Sequence, residues 1–270
     1  MPCGWRRADI AVRRLTDDLG YAVRLPERVA RVVCLVPSLT EAVAATAPGA
    51  LVGATDYCSQ PADLRVHRVR GTKNPDLRAV ESLAPDLVIA NREENRELDV
   101  RRLRERGVTV WVTDIETVPA ALASMRRLLV EACGWTEPGW LVEADRAWAG
   151  EPPPARGRVA VAVWRDPWLL VGRATFTADV LRRLGLDIWS GPRPGRYPGV
   201  DLADLDRPAA GGGPDAVLLP DEPYPFSAAD GPEAFGQVPT RLVDGRLLTW
   251  YGPSLVAARE VLAAALADLP

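Results

Sequence analysis

The sequence predicts an α/β protein of two Rossmann-like lobes with parallel sheets, joined by a rigid bridging helix. Three observations carry this. Short runs rich in Val, Leu and Ile recur, each followed by an amphipathic stretch, which is how strands buried on both faces beneath covering helices read. After Asp114 the alternation gives way to helical periodicity. It resumes beyond the breaker-rich segment EPPPARG, residues 151–157. The predicted organisation is an N-terminal lobe over 1–115, a bridging helical segment over 116–150 and a C-terminal lobe over 157–270. A length of 270 residues fits about two domains.

Taken in order, LTDDLGYAVRLPE has a turn at Asp17–Gly20 between two extended pieces, a hairpin over 16–26. The first buried strand is Arg31–Pro37 (RVVCLVP). Ser38 and Glu41 then stand at N-cap and N3 spacing, so a capping box is expected to start a helix. Further strands are expected at Leu51–Asp56, Asp86–Asn91 and Val108–Asp114, with a helix starting near Asp76. Thr117–Cys133 carries Ala121, Leu122, Met125, Leu128 and Leu129 on one helical stripe. GWTEPG interrupts it, and Trp140–Trp148 resumes as helix. The second lobe offers strands at Arg158–Trp164, Leu186–Trp189, Asp215–Pro220 and Arg246–Trp250, and a last helix over Pro253–Leu269.

Composition narrows the function classes. A net charge of −3 gives no basic surface for nucleic acid. The arginines from Arg92 to Arg106 are interleaved with Glu93, Glu94, Glu97, Asp99 and Glu105, a solvated face. Cys3, Cys34, Cys58 and Cys133 form no CxxC pair, which argues against a zinc site and leaves their redox state open. No run approaches the roughly 20 apolar residues of a membrane span. No apolar segment follows the basic N-terminus, so a secretory signal is not expected and the expected location is cytoplasmic. A periplasmic or lipid-anchored location would need a start further upstream.

In open α/β sheets ligands bind at the carboxyl ends of the strands. That rule gives the candidate ligand-binding residues Ser38, Tyr57, Cys58, Lys73, Asn74, Glu93 and Glu94 in the first lobe. In the second it gives Trp164, Arg165, Trp168, Trp250 and Tyr251. The tryptophans and Tyr251 offer flat faces suited to a bulky planar or macrocyclic ligand, against the alternative that they pack the core. Glu93 and Glu94 equally fit a solvated first helical turn. Lys73 is the single lysine beside 32 arginines and His67 the single histidine. Neither GxGxxG after a strand, nor GxxxxGK[ST], nor GxSxG is present. With His67 alone among Arg65, Arg68 and Arg70, a catalytic triad is not expected. No catalytic residue, protein-bound metal or tightly bound cofactor is expected.

RVVCLVPSLTEAV, LVGATDYC, GTKNPDLRAVESLAPDLVIANREEN, WVTD and LLTWYGPSLVAA, in that order, resemble the helical-backbone substrate-binding proteins of ferric-siderophore and cobalamin import. The likeness spans residues 16–268 and is stronger in the first lobe. It is closest to a subgroup with GTKNP and AN(K/R)EEN loops that lacks an export signal. The resemblance implies the class III fold and a chelated metal compound, cobalamin-like or ferric siderophore, as ligand between the lobes. It also implies docking on an ABC permease through one glutamate per lobe. Arg78 and Ala203 stand at those two positions here, and an arginine facing permease arginines would repel. The aromatic that cobalamin binders carry before the first of these helices corresponds to Thr72. Three readings follow. The first is a non-catalytic metal-chelate binder. The second is a cytosolic enzyme or chaperone of corrinoid or metal-cofactor metabolism, with Lys73, Glu93 or Cys58 active in the same cleft. The third is an importer's binding subunit whose start lies upstream.

Overall fold

The computed structural model describes residues 12–269. Cys3 lies outside them. The chain divides into two units, residues 1–114 with 123–141, and 115–122 with 142–270. The helical segment therefore contributes to both.

Unit one opens with an antiparallel hairpin, β1 (Val12–Thr16) and β2 (Ala22–Pro26), so the extended pieces reach four residues further upstream than the expected 16–26. Its turn is organised by Asp17. One carboxylate oxygen accepts the amides of Leu19 and Tyr21, and the other accepts Arg104 at 2.7 Å and the Val112 amide. The main sheet is parallel in the order β5-β4-β3-β8-β9. Its strands are β3 (Val32–Cys34), β4 (Leu51–Ala54), β5 (His67–Arg68), β8 (Leu87–Asn91) and β9 (Val110–Thr113). β8 and β9 are buried throughout, which is why they read as unbroken apolar runs. Between β5 and β8 the chain makes a small hairpin, β6 (Arg70–Gly71) and β7 (Asn74–Pro75), and then helix α2 (Leu77–Ser82). Helices α1 (Pro37–Thr46) and α3 (Glu97–Glu105) follow β3 and β8.

The start of α1 corrects one expectation. Pro37, not a capped Ser38, is the first helical residue, with Val36 at the N-cap and no side-chain cap. Proline's fixed φ suits that position. It places Ser38 inside the first turn, buried, with its hydroxyl lacking a hydrogen-bond partner.

The helix α4 (Val118–Arg126) continues through wider π-type turns over Arg127–Ala132, and α5 spans Gly139–Ala147. The amino end of α4 is held by two groups of unit two. Thr117 Oγ1 accepts the Ala120 amide and Asp179 accepts the Val118 amide at 2.8 Å, satisfying donors that a helix start otherwise leaves unpaired.

Unit two is built on β10 (Gly157–Trp164), β12 (Leu186–Ile188), β13 (Ala216–Pro220) and β14 (Thr240–Val243). They pair in parallel in the order β12-β10-β13-β14, and the short β11 (Leu169–Leu170) lies antiparallel on β10. Helices α6 (Phe176–Arg183), α7 (Leu202–Leu205), α8 (Gly245–Thr249) and α9 (Leu255–Ala265) complete it. Here a second expectation is overturned. Arg246–Trp250 is not a strand; its first four residues fall in α8, and the strand is the preceding TRLV. Asp244 caps α8 by accepting the Leu247 amide at 3.0 Å, a local signal that outweighs the short apolar run LLTW.

Candidate functional site

At the carboxyl end of unit one's sheet, two asparagines shape the rim. Asn91 ends β8. Its side-chain oxygen accepts the amides of Glu93 (2.8 Å) and Glu94 (3.3 Å), and its Nδ2 donates to Thr113. Asn95 returns the loop: its Oδ1 accepts the Asn91 amide, and its Nδ2 donates to the carbonyls of Leu35 and Thr72. Both side chains are buried, so these bonds replace water that the backbone groups would otherwise need. The loop after β8 is thereby tied to the end of β3 and to the β6–β7 turn.

That turn consists of Thr72 and Lys73. The Lys73 ammonium donates to the Glu93 carbonyl, joining the turn to the NREEN loop a second time. Asn74 is exposed beside it. Asp76 caps α2, accepting the amides of Arg78 and Ala79 at 3.1 Å. The Ala79 amide, aided by the charge of Arg70, holds the Asp76 carboxyl below its usual range. Tyr57 is 68% exposed, and its ring edge lies over Gly71: a Cβ there would sit 3.1 Å from Tyr57 Cε2. The Tyr57 loop is anchored from below by Arg68, which donates to the carbonyls of Thr55, Cys58 and Leu64.

In unit two, β10 ends in Trp164, 45% exposed, packed edge-on against Tyr224 with ring centroids 5.5 Å apart. The Tyr224 hydroxyl donates to Asp230 at 2.7 Å. Arg165 pairs with Asp230 and with Glu233 and lies over the Trp168 ring, so its guanidinium organises the loop after β13. On the next strand end Glu222 is half-buried beside Thr249 and Trp250. Burial pushes its carboxyl up, with donors from Trp250 and Thr249 acting the other way and Asp221 reinforcing the rise.

The expected site residues thus separate into two groups. Tyr57, Lys73 and Asn74 are exposed, with Glu93 and Glu94 half-buried in the loop that Lys73 ties down; Trp164 and Arg165 are at the strand-end surface of unit two. Ser38 and Cys58 are buried, Cys58 against the hydroxyls of Thr40 and Thr55. Burial raises the Cys58 thiol, which disfavours the thiolate for as long as the loop stays closed over it. Trp168 is 6% exposed, stacked on Phe226 and edge-on to Phe235 in the unit-two core. Trp250 and Tyr251 are buried as well, Tyr251 against Phe176. The stacking role expected of these three is replaced by packing, the common fate of aromatics next to a sheet.

Asn95, Arg68 and Tyr224 shape these strand ends and are not among the residues expected from sequence. The two amides four residues apart in ANREEN are a usable signal, because short polar side chains in strand-end loops bond the backbone. Arg68 and Tyr224 carry none, since a guanidinium or a phenol does not announce its partner. His67 is exposed on β5, and Arg78 and Ala203 are both exposed.

Among the described residues no group of three or more His, Cys, Asp or Glu is placed to hold a metal ion, and no helix is long and apolar enough to cross a membrane. A cavity of about 210 Å³ in unit two is lined by Glu116, Arg173, Asp179 and Asp187 among others; none of the expected site residues lines it.

No family model and no curated protein matches the chain. Solved structures do. The periplasmic vitamin B12 binding protein BtuF of Vibrio cholerae matches with a TM-score of 0.68 at 18% identity, over 88% of this chain and 97% of that one. The chain has the class III substrate-binding-protein fold. A periplasmic heme-binding protein of Pseudomonas aeruginosa matches at 0.70 and 21% identity, covering 90% of this chain and 94% of that one. Helicobacter pylori CeuE in a nickel–histidine complex matches at 0.76 and 13% identity, over 94% and 88%. All three are α/β proteins of this type, named for binding B12, heme or a nickel complex.

Proposed function

We propose that the chain is a non-catalytic binding protein for a metal chelate, a cobalamin-like corrinoid or a ferric siderophore. The observation that carries this is that each unit exposes an aromatic ring at a strand end, Tyr57 in unit one and Trp164 in unit two. An exposed ring braced from behind is a stacking surface, and a chelate offers a flat face to it. The polar edge comes from Asn74, Glu93 and the Lys73 turn, whose backbone is already fixed by Asn91 and Asn95. A pre-formed rim loses little conformational entropy on binding. The known ligands of proteins with this fold support the same class.

Calorimetric titration of cobalamin, cobinamide, heme and a set of ferric siderophores against the purified protein tests it. One member is expected to bind at micromolar or tighter Kd and to lose affinity in Trp164→Ala. If none binds, the chelate reading fails. The absence of enzyme motifs makes catalysis no part of the proposal, and turnover of a bound corrinoid would replace it with a cofactor-processing role.

A further inference from the structure

Cys34 and Cys58 are used by nothing described so far, yet both stand against the Val36 carbonyl and the Thr40 hydroxyl bonded to it. Cys34 ends β3, the central strand of unit one, and β4 pairs beside it with Ala54 opposite Cys34. Four residues past Ala54 the chain turns back, with the Cys58 amide on the Thr55 carbonyl. Cys58 Sγ thus comes within 3.0 Å of Thr40 Oγ1 and 3.1 Å of Thr55 Oγ1. Thr40 Oγ1 also lies 2.8 Å from the Val36 carbonyl. One hydroxyl proton cannot serve both neighbours. Given to the carbonyl, it leaves the oxygen's lone pairs to accept a thiol S–H. The Cys34 thiol contacts the same Val36 carbonyl at 3.4 Å, one atom away from the Thr40 hydroxyl that touches Cys58. Two sulfurs therefore share one small polar pocket under the Tyr57 loop.

The geometry points to Cys34 and Cys58 as a dithiol that a low-molecular-weight disulfide oxidises to an internal disulfide, cross-linking the end of β3 to the loop after β4. The two thiols differ in access. Cys34 is closed in the sheet, whereas Cys58 is buried in a loop whose neighbours Asp56, Tyr57 and Ser59 are exposed. Opening of that loop uncovers Cys58 first. Its thiolate attacks the small disulfide and forms a mixed disulfide, releasing one small thiolate. Cys34, deprotonated in turn, attacks the Cys58 sulfur, forms the internal bond and releases the second small thiolate. The two protons leave with the two small thiols, so two protein thiols are oxidised and one small disulfide is reduced.

The full chain is incubated with oxidised glutathione, then denatured, and its free thiols counted and its peptides mapped. The expected result is two fewer thiols per chain, one cross-linked peptide pair joining Cys34 to Cys58, and full reversal by a thiol reductant. Cys34→Ser is expected to stop at a stable glutathione adduct on Cys58. An unchanged thiol count, a cross-link to Cys3 or Cys133, or an adduct on Cys58 that persists in the unsubstituted chain would each overturn the assignment. The peptide map of the unsubstituted chain stands whether or not Cys34→Ser folds.

Discussion

The side-chain amide of Asn95 donates to the carbonyl of Thr72 at 3.0 Å, binding two loops 23 residues apart in sequence into one surface. Replacing Asn95 by Asp removes that donor and sets a carboxylate against the carbonyls of Leu35 and Thr72. A buried hydrogen bond lost with its acceptors stranded costs about 1–3 kcal/mol. Chemical denaturation should show a loss in that range. Hydrogen exchange should show faster opening of residues 72–74 than of β8.

Gly71→Ala should act on the rim more than on the fold. The added Cβ would lie 2.5 Å from Asn74 Oδ1 and 3.1 Å from the Tyr57 ring, both side-chain atoms near the surface that can move aside. The expected outcome is a small stability change and a loss of chelate affinity on the order of tenfold, equivalent to about 1.4 kcal/mol, read by titration.

Lys73→Arg separates binding from chemistry. A guanidinium still donates to the Glu93 carbonyl, so chelate affinity should stay within about tenfold of the parent. A role needing a deprotonatable amine would be abolished, because arginine stays charged. Measuring Kd for the variant and the parent under identical conditions decides it.

Asp179→Asn tests the start of α4. Burial alone would raise the Asp179 carboxyl, but the Val118 amide and the guanidinium groups of Arg182 and Arg183 outweigh it, and its pKa is lowered. A depressed carboxylate contributes stability that is complete above its unfolded pKa, near 3.9, and is lost as pH falls through the lower folded value. Unfolding measured from pH 7 down to pH 2 should therefore steepen below about pH 4 in the parent. The variant should be less stable at neutral pH and flatter over that acid limb.

What can be read from sequence depends on how local its cause is. RVVCLVP and DLVIAN are legible as strands because burial on both faces leaves no polar alternation to confuse the period. Arg246–Trp250 is misleading because a short run with two leucines fits a strand or a helix equally, and Asp244 decides only once its cap is seen. β5, β6 and β7 are two residues each and largely polar, so no periodicity exists to find. At the site, strand counting locates Lys73 and Glu93 on one rim, and the structure joins them. It cannot sort the aromatics, because whether Trp164 or Trp168 faces water depends on Tyr224, Phe226 and Phe235, which are remote in sequence.

The hairpin turn of unit one reaches beyond its own two strands. Asp17 accepts the Val112 amide, Asp18 donates its amide to the Val112 carbonyl and accepts the Asp114 amide, and Arg104 bonds the Val110 carbonyl. These are outward-facing backbone groups of β9, the last strand on that side, and of Asp114 just beyond it. At the opposite side β5 is only His67 and Arg68. One margin of the sheet is occupied and the other is cut short and charged, which is how β-structures avoid recruiting a strand from a neighbouring molecule. Asp18→Ala, by freeing the Asp114 amide, would reopen that margin to self-association when the protein is concentrated.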